Sequence, residues 1–195
     1  MKKILALLAL VTATSVFAGA GITTEYEIEH GEKGGSNSRS VSVAPFVKLD
    51  NGWKFDVKLE GARDEGQVAG SNHNIDALVE PRARKDIAIT DKTSVGLRVG
   101  VGRKFNGENK AGQTVDFAYY TVEPIATYKA TDALSFNTSY RFRNSFDNDT
   151  AYLTRTAKVG VAYALTKQDE VGAKYFVKRG DAESHGVELV YARGF

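Results

Sequence analysis

The stretch WKFDVKLEGA, residues 53–62, alternates apolar and charged side chains. Its apolar residues occupy every second position: Trp53, Phe55, Val57 and Leu59. The positions between them are charged: Lys54, Asp56, Lys58 and Glu60. Because successive side chains of a β-strand point to opposite faces, this period of two predicts a strand with one apolar face and one charged face.

The same alternation recurs through most of the chain. It is clear in SVGLRVGVG, residues 94–102, and in ALSFNTSYRFR, residues 133–143. Beyond about Gly21, no segment keeps the 3.6-residue apolar period of an amphipathic helix. The pattern predicts ten strands, near residues 22–30, 39–49, 53–63, 73–89, 94–103, 114–129, 133–144, 151–165, 170–179 and 185–195.

The predicted connections alternate in length. Short turns are expected at residues 50–52, 90–93, 130–132 and 166–169. The other connections are mostly longer and polar, at residues 31–38, 64–72, 104–113, 145–150 and 180–184. An even number of strands with short turns at one end is typical of bacterial outer-membrane barrels, whose short turns lie in the periplasm. Both termini are then expected on the periplasmic side. Twelve strands is the alternative, if a segment such as 73–89 merges two.

A soluble β-sandwich or lipocalin-like barrel also alternates, with its apolar faces turned towards a dry core. Three observations favour the membrane. Many segments have nine or more residues, enough to cross a bilayer when tilted. Aromatic residues lie near predicted strand ends, as interfacial girdles require. Charged residues are spread regularly over the face opposite the apolar one. We therefore expect an all-β, transmembrane, antiparallel up-and-down β-barrel in the bacterial outer membrane.

Both ends of the chain fit an exported barrel. Residues 1–20 combine Lys2 and Lys3, an apolar stretch and small residues before the predicted cleavage site, which predicts a signal peptide; cleavage after Ala18 fits nearly as well. The alternative is a membrane-anchoring helix. Residues 21–195 then form the barrel. The chain finishes on a strand ending at Phe195, which resembles the signal that the outer-membrane assembly machinery recognises, although Arg193 stands where an aromatic is usual.

Composition excludes several classes of function. Removing Lys2 and Lys3 from 26 basic residues leaves 24, equal to the 24 acidic residues, so no nucleic-acid partner is expected. The absence of cysteine excludes disulfides, thiolate metal sites and lipid-modified cysteine. The three histidines match no metal motif: His30, His73 and His185. No metal or cofactor is expected, and the loops are too short to build a catalytic site, so we expect no enzyme.

With the apolar face turned to lipid, the charged face lines the interior. The predicted pore-lining residues are Arg82, Arg84, Arg98, Glu123, Arg141, Arg143, Lys158, Lys174 and Lys178. A separate acidic wall is expected on the first strand: Glu25, Glu27 and Glu29. Either these charges neutralise one another in a plugged interior, or a basic wall attracts anions into a water-filled channel. Small inward residues predict open volume and favour the channel: Gly96, Gly100, Gly102, Gly160, Ala162 and Gly172.

Two segments resemble a known family. YTVEPIATYKATDALSFNTSYRFRNSF, residues 120–146, and SVSVAPFVKLDNGWKFDVKLEG, residues 40–61, are similar to the oligogalacturonate-specific porins. The resemblance implies a monomeric, narrow, arginine-lined barrel that takes up acidic oligosaccharides, with Arg141 and Arg143 matching the basic strand of the family. Its barrels have twelve strands on longer chains, whereas the pattern here predicts ten.

These observations lead to one main hypothesis and one alternative. The main hypothesis is a monomeric channel that passes small anionic solutes such as acidic oligosaccharides, embedded in outer-membrane lipid and lipopolysaccharide. The alternative is a non-conducting structural or adhesive barrel. Two charges do not follow the pattern, because Arg39 and Arg155 fall among lipid-facing residues. For Arg155, either a position near lipopolysaccharide headgroups or a bulge that reverses the local phase is expected.

Overall fold

The computed structural model describes residues 17–32, 37–65, 75–108, 114–150, 152–181 and 183–195. Within them the chain forms ten strands: β1 Phe17–Gly31, β2 Asn37–Leu49, β3 Trp53–Glu65, β4 Ile75–Ala88, β5 Thr93–Glu108, β6 Thr114–Lys129, β7 Leu134–Ser145, β8 Thr154–Ala164, β9 Asp169–Gly180 and β10 Ser184–Gly194. The described part of the chain contains no helix that is long and apolar enough to cross a membrane.

The ten strands close into an antiparallel barrel in which each pairs with its neighbours in sequence and β1 pairs with β10. The closing register runs from Gly21 opposite Gly194 to Gly31 opposite Ser184. It continues to the end of the chain, where the Phe195 N–H donates to the Ala20 carbonyl oxygen at 2.8 Å. The prediction of ten strands is therefore confirmed, and the segment expected at 73–89 contributes a single strand to the described residues.

The two faces of the barrel have opposite character. Apolar side chains on the outer face are exposed, as at Leu97 (48%), Val159 (57%) and Leu189 (50%). Charged side chains on the inner face are buried, with Glu80 at 0% and Glu188 at 1% exposure. A soluble sandwich or lipocalin-like barrel has the reverse arrangement. The outer surface is therefore suited to lipid, as in a transmembrane barrel.

Three of the four short turns share one hydrogen-bonding pattern. Thr90, Thr131 and Thr166 each accept hydrogen bonds at Oγ1 from the N–H groups two and three residues later, over 2.9–3.2 Å. Threonine favours such turns because its hydroxyl satisfies backbone donors locally. The fourth turn, at residues 50–52, uses Gly52, whose φ of 84° suits glycine. These turns and both ends of the described chain lie at the same end of the barrel, as predicted.

The two irregular arginines lie on the outer face. Arg39 and Arg155 are both exposed there. The register around Arg155 is continuous, with Phe142 opposite it on β7 and Arg179 opposite it on β9. The expectation of a bulge that reverses the phase is therefore wrong. Arg155 projects outward near the loop-side end of β8.

The first strand begins earlier than the sequence predicts. β1 starts at Phe17, inside the segment assigned to the signal peptide. Its register against β2 shifts between Phe17 and Gly19 and is regular from Gly19 onward. Gly19 and Ala20 thus belong to the regular ladder, and Ala20 accepts the last hydrogen bond of the closing seam.

We expect the export signal to be cleaved after Ala18, so that the mature chain begins at Gly19. Cleavage after Ala20 would remove the acceptor of the Phe195 N–H and leave a backbone donor without its partner near the bilayer. The intact mass of the barrel purified from membranes checks this. A mature chain beginning at Gly21 would contradict it.

Candidate functional site in the barrel interior

Every residue predicted to line a pore lies on the inner face of the barrel. Strands β4 to β9 supply the residues predicted to line it: Arg82, Arg84, Arg98, Glu123, Arg141, Arg143, Lys158, Lys174 and Lys178. Strand β1 supplies the predicted acidic wall: Glu25, Glu27 and Glu29. Strict alternation on strands with an apolar outer face places these side chains inside. Their role in solute passage stays a prediction.

Most of these charges are paired across neighbouring strands. Arg82 Nε lies 2.5 Å from Asp56 Oδ1 on β3. Arg98 Nη1 lies 2.9 Å from Glu123 Oε2 on β6, and the Ser139 hydroxyl donates to the other Glu123 oxygen at 2.7 Å. Burial of a charge is costly unless it is paired and hydrogen-bonded. The pairing therefore makes a charged interior compatible with a closed barrel.

The predicted acidic wall does not stand apart from the basic strands. Each of its carboxylates approaches a lysine, in the pairs Glu25–Lys58 at 3.0 Å, Glu27–Lys158 at 4.0 Å and Glu29–Lys178 at 2.5 Å. Only β10 separates β1 from β9, and its Glu188 pairs with both Lys158 and Lys174. The expectation of a separate acidic wall is therefore wrong, because barrel closure brings opposite charges into contact.

A second cluster fills the loop-side half of the interior. Arg143 Nη2 donates to Glu80 Oε2 at 2.9 Å, and its Nη1 donates to the Tyr152 hydroxyl at 3.2 Å. The Tyr119 hydroxyl donates to the same Glu80 oxygen at 3.3 Å, and the guanidinium lies 4.8 Å from the Tyr119 ring centroid. Arg143 is 7% exposed and Tyr119 is fully buried. This cluster leaves little room for water at its level.

Gly100 and Gly102 do not leave the open volume that the sequence predicts. An added Cβ at Gly100 would lie 2.7 Å from Glu80 Oε1, and one at Gly102 would overlap the Tyr119 ring. The space beside these two glycines is filled by a larger side chain of the next strand. At these two positions glycine permits close packing of the interior, so they do not support an open pore.

Arg141 differs from the other inward arginines. Within the described residues, no carboxylate forms an ion pair with it. Its Nε is buried without a hydrogen-bond partner in the described part of the barrel. By contrast, Arg84 on β4 pairs with Asp86 at 2.8 Å. Arg141 is therefore the inward guanidinium with most capacity to bind an anion that enters from outside the protein.

Sequence reasoning missed two important inner residues. Glu188 lies between outward Val187 and Leu189, so the alternation of β10 already indicated its position. Tyr119 shares its face with Glu123 by the same period of two. An aromatic residue on a barrel strand is usually assigned to the lipid interface, and its burial beside Arg143 depends on the neighbouring strands.

Two of the three histidines lie close to each other. His30 and His185 face each other across the closing seam, with ring centroids 5.9 Å apart. His185 Nδ1 lies 3.4 Å from Glu32 Oε1. His73 lies outside the described residues. Within those residues, no group of three side chains could hold a metal ion.

Comparison with known proteins identifies the fold. No protein-family model and no curated protein matches the chain. A NanC porin has a TM-score of 0.50 at 13% identity, covering 91% of this chain and 99% of that one. An outer-membrane channel from Pseudomonas putida F1 has a TM-score of 0.54 at 9% identity, covering 94% and 98%. A KdgM porin in complex with disordered oligogalacturonate has a TM-score of 0.48 at 14% identity, covering 90% and 99%.

At these identities the likeness establishes the fold alone. The fold is that of outer-membrane β-barrels, so the resemblance to porins noted in the sequence is confirmed at that level. The three named structures are described as porins or as a channel. The solute and the lining of the interior have to be argued from this chain's own residues.

We expect Glu80→Gln to destabilise the barrel by about 3–5 kcal/mol, because it leaves the buried Arg143 guanidinium without its carboxylate. Urea unfolding of the barrel refolded in detergent micelles measures this. Glu32→Gln is the matched control, since its ion pair with Arg179 is partly exposed and a surface pair contributes little. Equal stability of the two variants would contradict a structural role for the Glu80–Arg143 pair.

Proposed function

We propose that this protein is a narrow outer-membrane channel that passes small solutes with a moderate preference for anions. The observation that carries the proposal is Arg141, an inward guanidinium with no carboxylate partner among the described residues. Arginine and lysine side chains that line a pore favour the entry of anions. A guanidinium suits carboxylates in particular, because its planar fork donates two parallel hydrogen bonds.

The outer-membrane location rests on the lipid-facing surface of the barrel and on a fold shared with outer-membrane porins. The barrel inserts with its short turns and termini in the periplasm and its longer connections outside. The predicted signal peptide supplies the export route. We expect the outer-membrane assembly machinery to recognise the strand that ends at Phe195.

The preference for anions is moderate because the interior charges largely cancel. Glu188, for example, neutralises part of the positive charge of Lys158 and Lys174. Selectivity then depends on the cations that keep no carboxylate partner among the described residues. Arg141 is one, and Lys54, whose Nζ lies 3.9 Å from the Phe46 ring centroid, is another. Two such positive charges make the electrostatic potential inside the barrel more positive, but they do not exclude cations.

Carboxylate exchange explains how an acidic oligosaccharide would pass through so crowded an interior. The carboxylates of the sugar replace Glu123 and Glu80 on Arg98 and Arg143, and Arg141, which forms no ion pair within the described residues, is the first site that they meet. Each exchange releases a buried protein carboxylate from its arginine, so passage is expected only for solutes whose own ion pairs with the arginines offset that cost. This step gives the arginines the role that the porin resemblance implies.

The second candidate function is a non-conducting structural barrel. The observation that favours it is the burial of the inner ion pairs, with Glu80 and Glu188 at or below 1% exposure. If those pairs stay closed, water and solutes do not pass. A silent, correctly folded sample in a planar bilayer would support this candidate, and discrete conductance steps would support the channel.

We expect Arg141→Gln to lower the ratio of anion to cation permeability at least about twofold, because it removes a luminal positive charge that forms no ion pair with a carboxylate of the described residues. The reversal potential in a KCl gradient across a planar bilayer measures this ratio. Arg193→Gln is the matched control, since Arg193 lies on the outer face at the short-turn end and should leave the ratio unchanged. An unchanged reversal potential in Arg141→Gln would remove the proposed basis of selectivity.

A further inference from the structure

Five arginines project from the outer face of the barrel near its loop-side end. These rim arginines are Arg39, Arg63, Arg103, Arg155 and Arg179, and all are exposed. Each stands nine or ten positions from the short-turn end of its strand, measured from Leu49, Trp53, Thr93, Ala164 and Asp169 respectively. They come from five different strands, so they surround much of the barrel at one level.

That level coincides with the edge of the bilayer. A tilted transmembrane strand needs about 9–11 residues to cross the hydrocarbon, and the apolar band of such barrels is about 25 Å tall. Below the rim arginines the outer face is apolar, as at Leu59 and Val159. The rim arginines therefore lie where hydrocarbon gives way to lipid headgroups on the loop side.

Two pairs of rim arginines lie directly opposite each other on adjacent strands. Arg39 on β2 is in register with Arg63 on β3, and Arg155 on β8 is in register with Arg179 on β9. Like charges in directly opposed positions destabilise a sheet. An anion that carries several charges and bridges both guanidinium groups converts this repulsion into attraction.

Glu32 and Asp116 form ion pairs at the rim within the described part of the barrel. Glu32 lies 2.9 Å from Arg179, and Asp116 lies 3.6 Å from Arg103. The hydrogen bond from Arg179 lowers the pKa of the Glu32 carboxyl, so Glu32 is ionised at neutral pH. Neither carboxylate makes an ion pair with both members of an opposed arginine pair.

The short-turn end of the outer face has fewer arginines than the loop-side end. It carries exposed aromatic residues such as Trp53, Tyr128 and Tyr163. Its outward Arg193 lies 3.8 Å from Asp169. Interfacial aromatics suit either leaflet, whereas the concentration of arginine is confined to the loop side. The asymmetry matches a ligand that is present in one leaflet.

We propose that the rim arginines bind the phosphate groups of outer-leaflet lipopolysaccharide, with the pairs Arg39–Arg63 and Arg155–Arg179 each bridged by phosphate. Guanidinium groups bind phosphate oxygens through paired, charge-assisted hydrogen bonds. The inference uses the outer-membrane location proposed above and is independent of solute passage.

The test compares binding of lipid A to the full barrel in detergent with binding of the same lipid after enzymatic removal of its phosphates. The wild-type barrel is expected to bind the phosphorylated form at least about tenfold more tightly, since each basic residue near an anionic headgroup strengthens binding. The variant with Arg39, Arg63, Arg155 and Arg179 all changed to Gln is expected to lose this preference. The control variant, Arg193→Gln with Lys92→Gln, removes basic residues at the short-turn end and should keep it.

Three results would overturn the proposal. They are equal binding of both lipids by the wild-type barrel, retention of the preference by the fourfold variant, and displacement of lipid A by millimolar inorganic phosphate, which would indicate a site for free phosphate. Folding of each variant is checked by its heat-modifiable migration on gels. If the fourfold variant does not fold, the double variants R39Q/R63Q and R155Q/R179Q are tested separately, and each is expected to reduce the preference.

Discussion

The structure depends on one constraint, which is that every backbone N–H and C=O group in hydrocarbon must be hydrogen-bonded within the protein. An open sheet cannot meet it, because its edges leave a row of unpaired groups. The barrel meets it by pairing β1 with β10 along their whole shared length, up to the bond from Phe195 to Ala20. Phe195 is therefore part of the hydrogen-bonded seam that closes the barrel.

Closure of the barrel encloses the charged face of every strand, and this explains why the interior charges are paired. Charged side chains that face outward in a soluble protein are here brought together and buried inside the barrel, so they must find partners. Glu188 binds two lysines, and Glu80 binds Arg143 within a shell of tyrosines. Most of the inner charges are thus compensated, whereas Arg141 forms no ion pair with a carboxylate of the described residues, and this difference supports its proposed role in binding anions.

The outer face follows from the same closure. An apolar band of fixed height must meet the hydrocarbon, and whatever lies beyond it must suit headgroups and water. Aromatic residues lie at both borders, whereas the outward arginines are concentrated at the loop-side border. This concentration of arginine supports the proposed orientation of the barrel in the membrane. Arginine thus has two proposed roles in this barrel, which are solute passage inside and lipid contact outside.

The period of two in residues 53–62 and its repeats sufficed to predict ten strands, the inward position of Arg98 and Arg141, and the placement of the termini, because the direction of a strand side chain is a local property. The pairing of charges could not be predicted. Lys178 and Glu29 stand 149 positions apart in the chain, and only the register and closure of the barrel bring them together. The packing at Gly102 could not be predicted either. The sequence suggests open space beside this glycine, but Tyr119 from the adjacent strand fills that space. The tertiary structure therefore decided whether the interior charges were separated or neutralised, since that depends on contacts between strands.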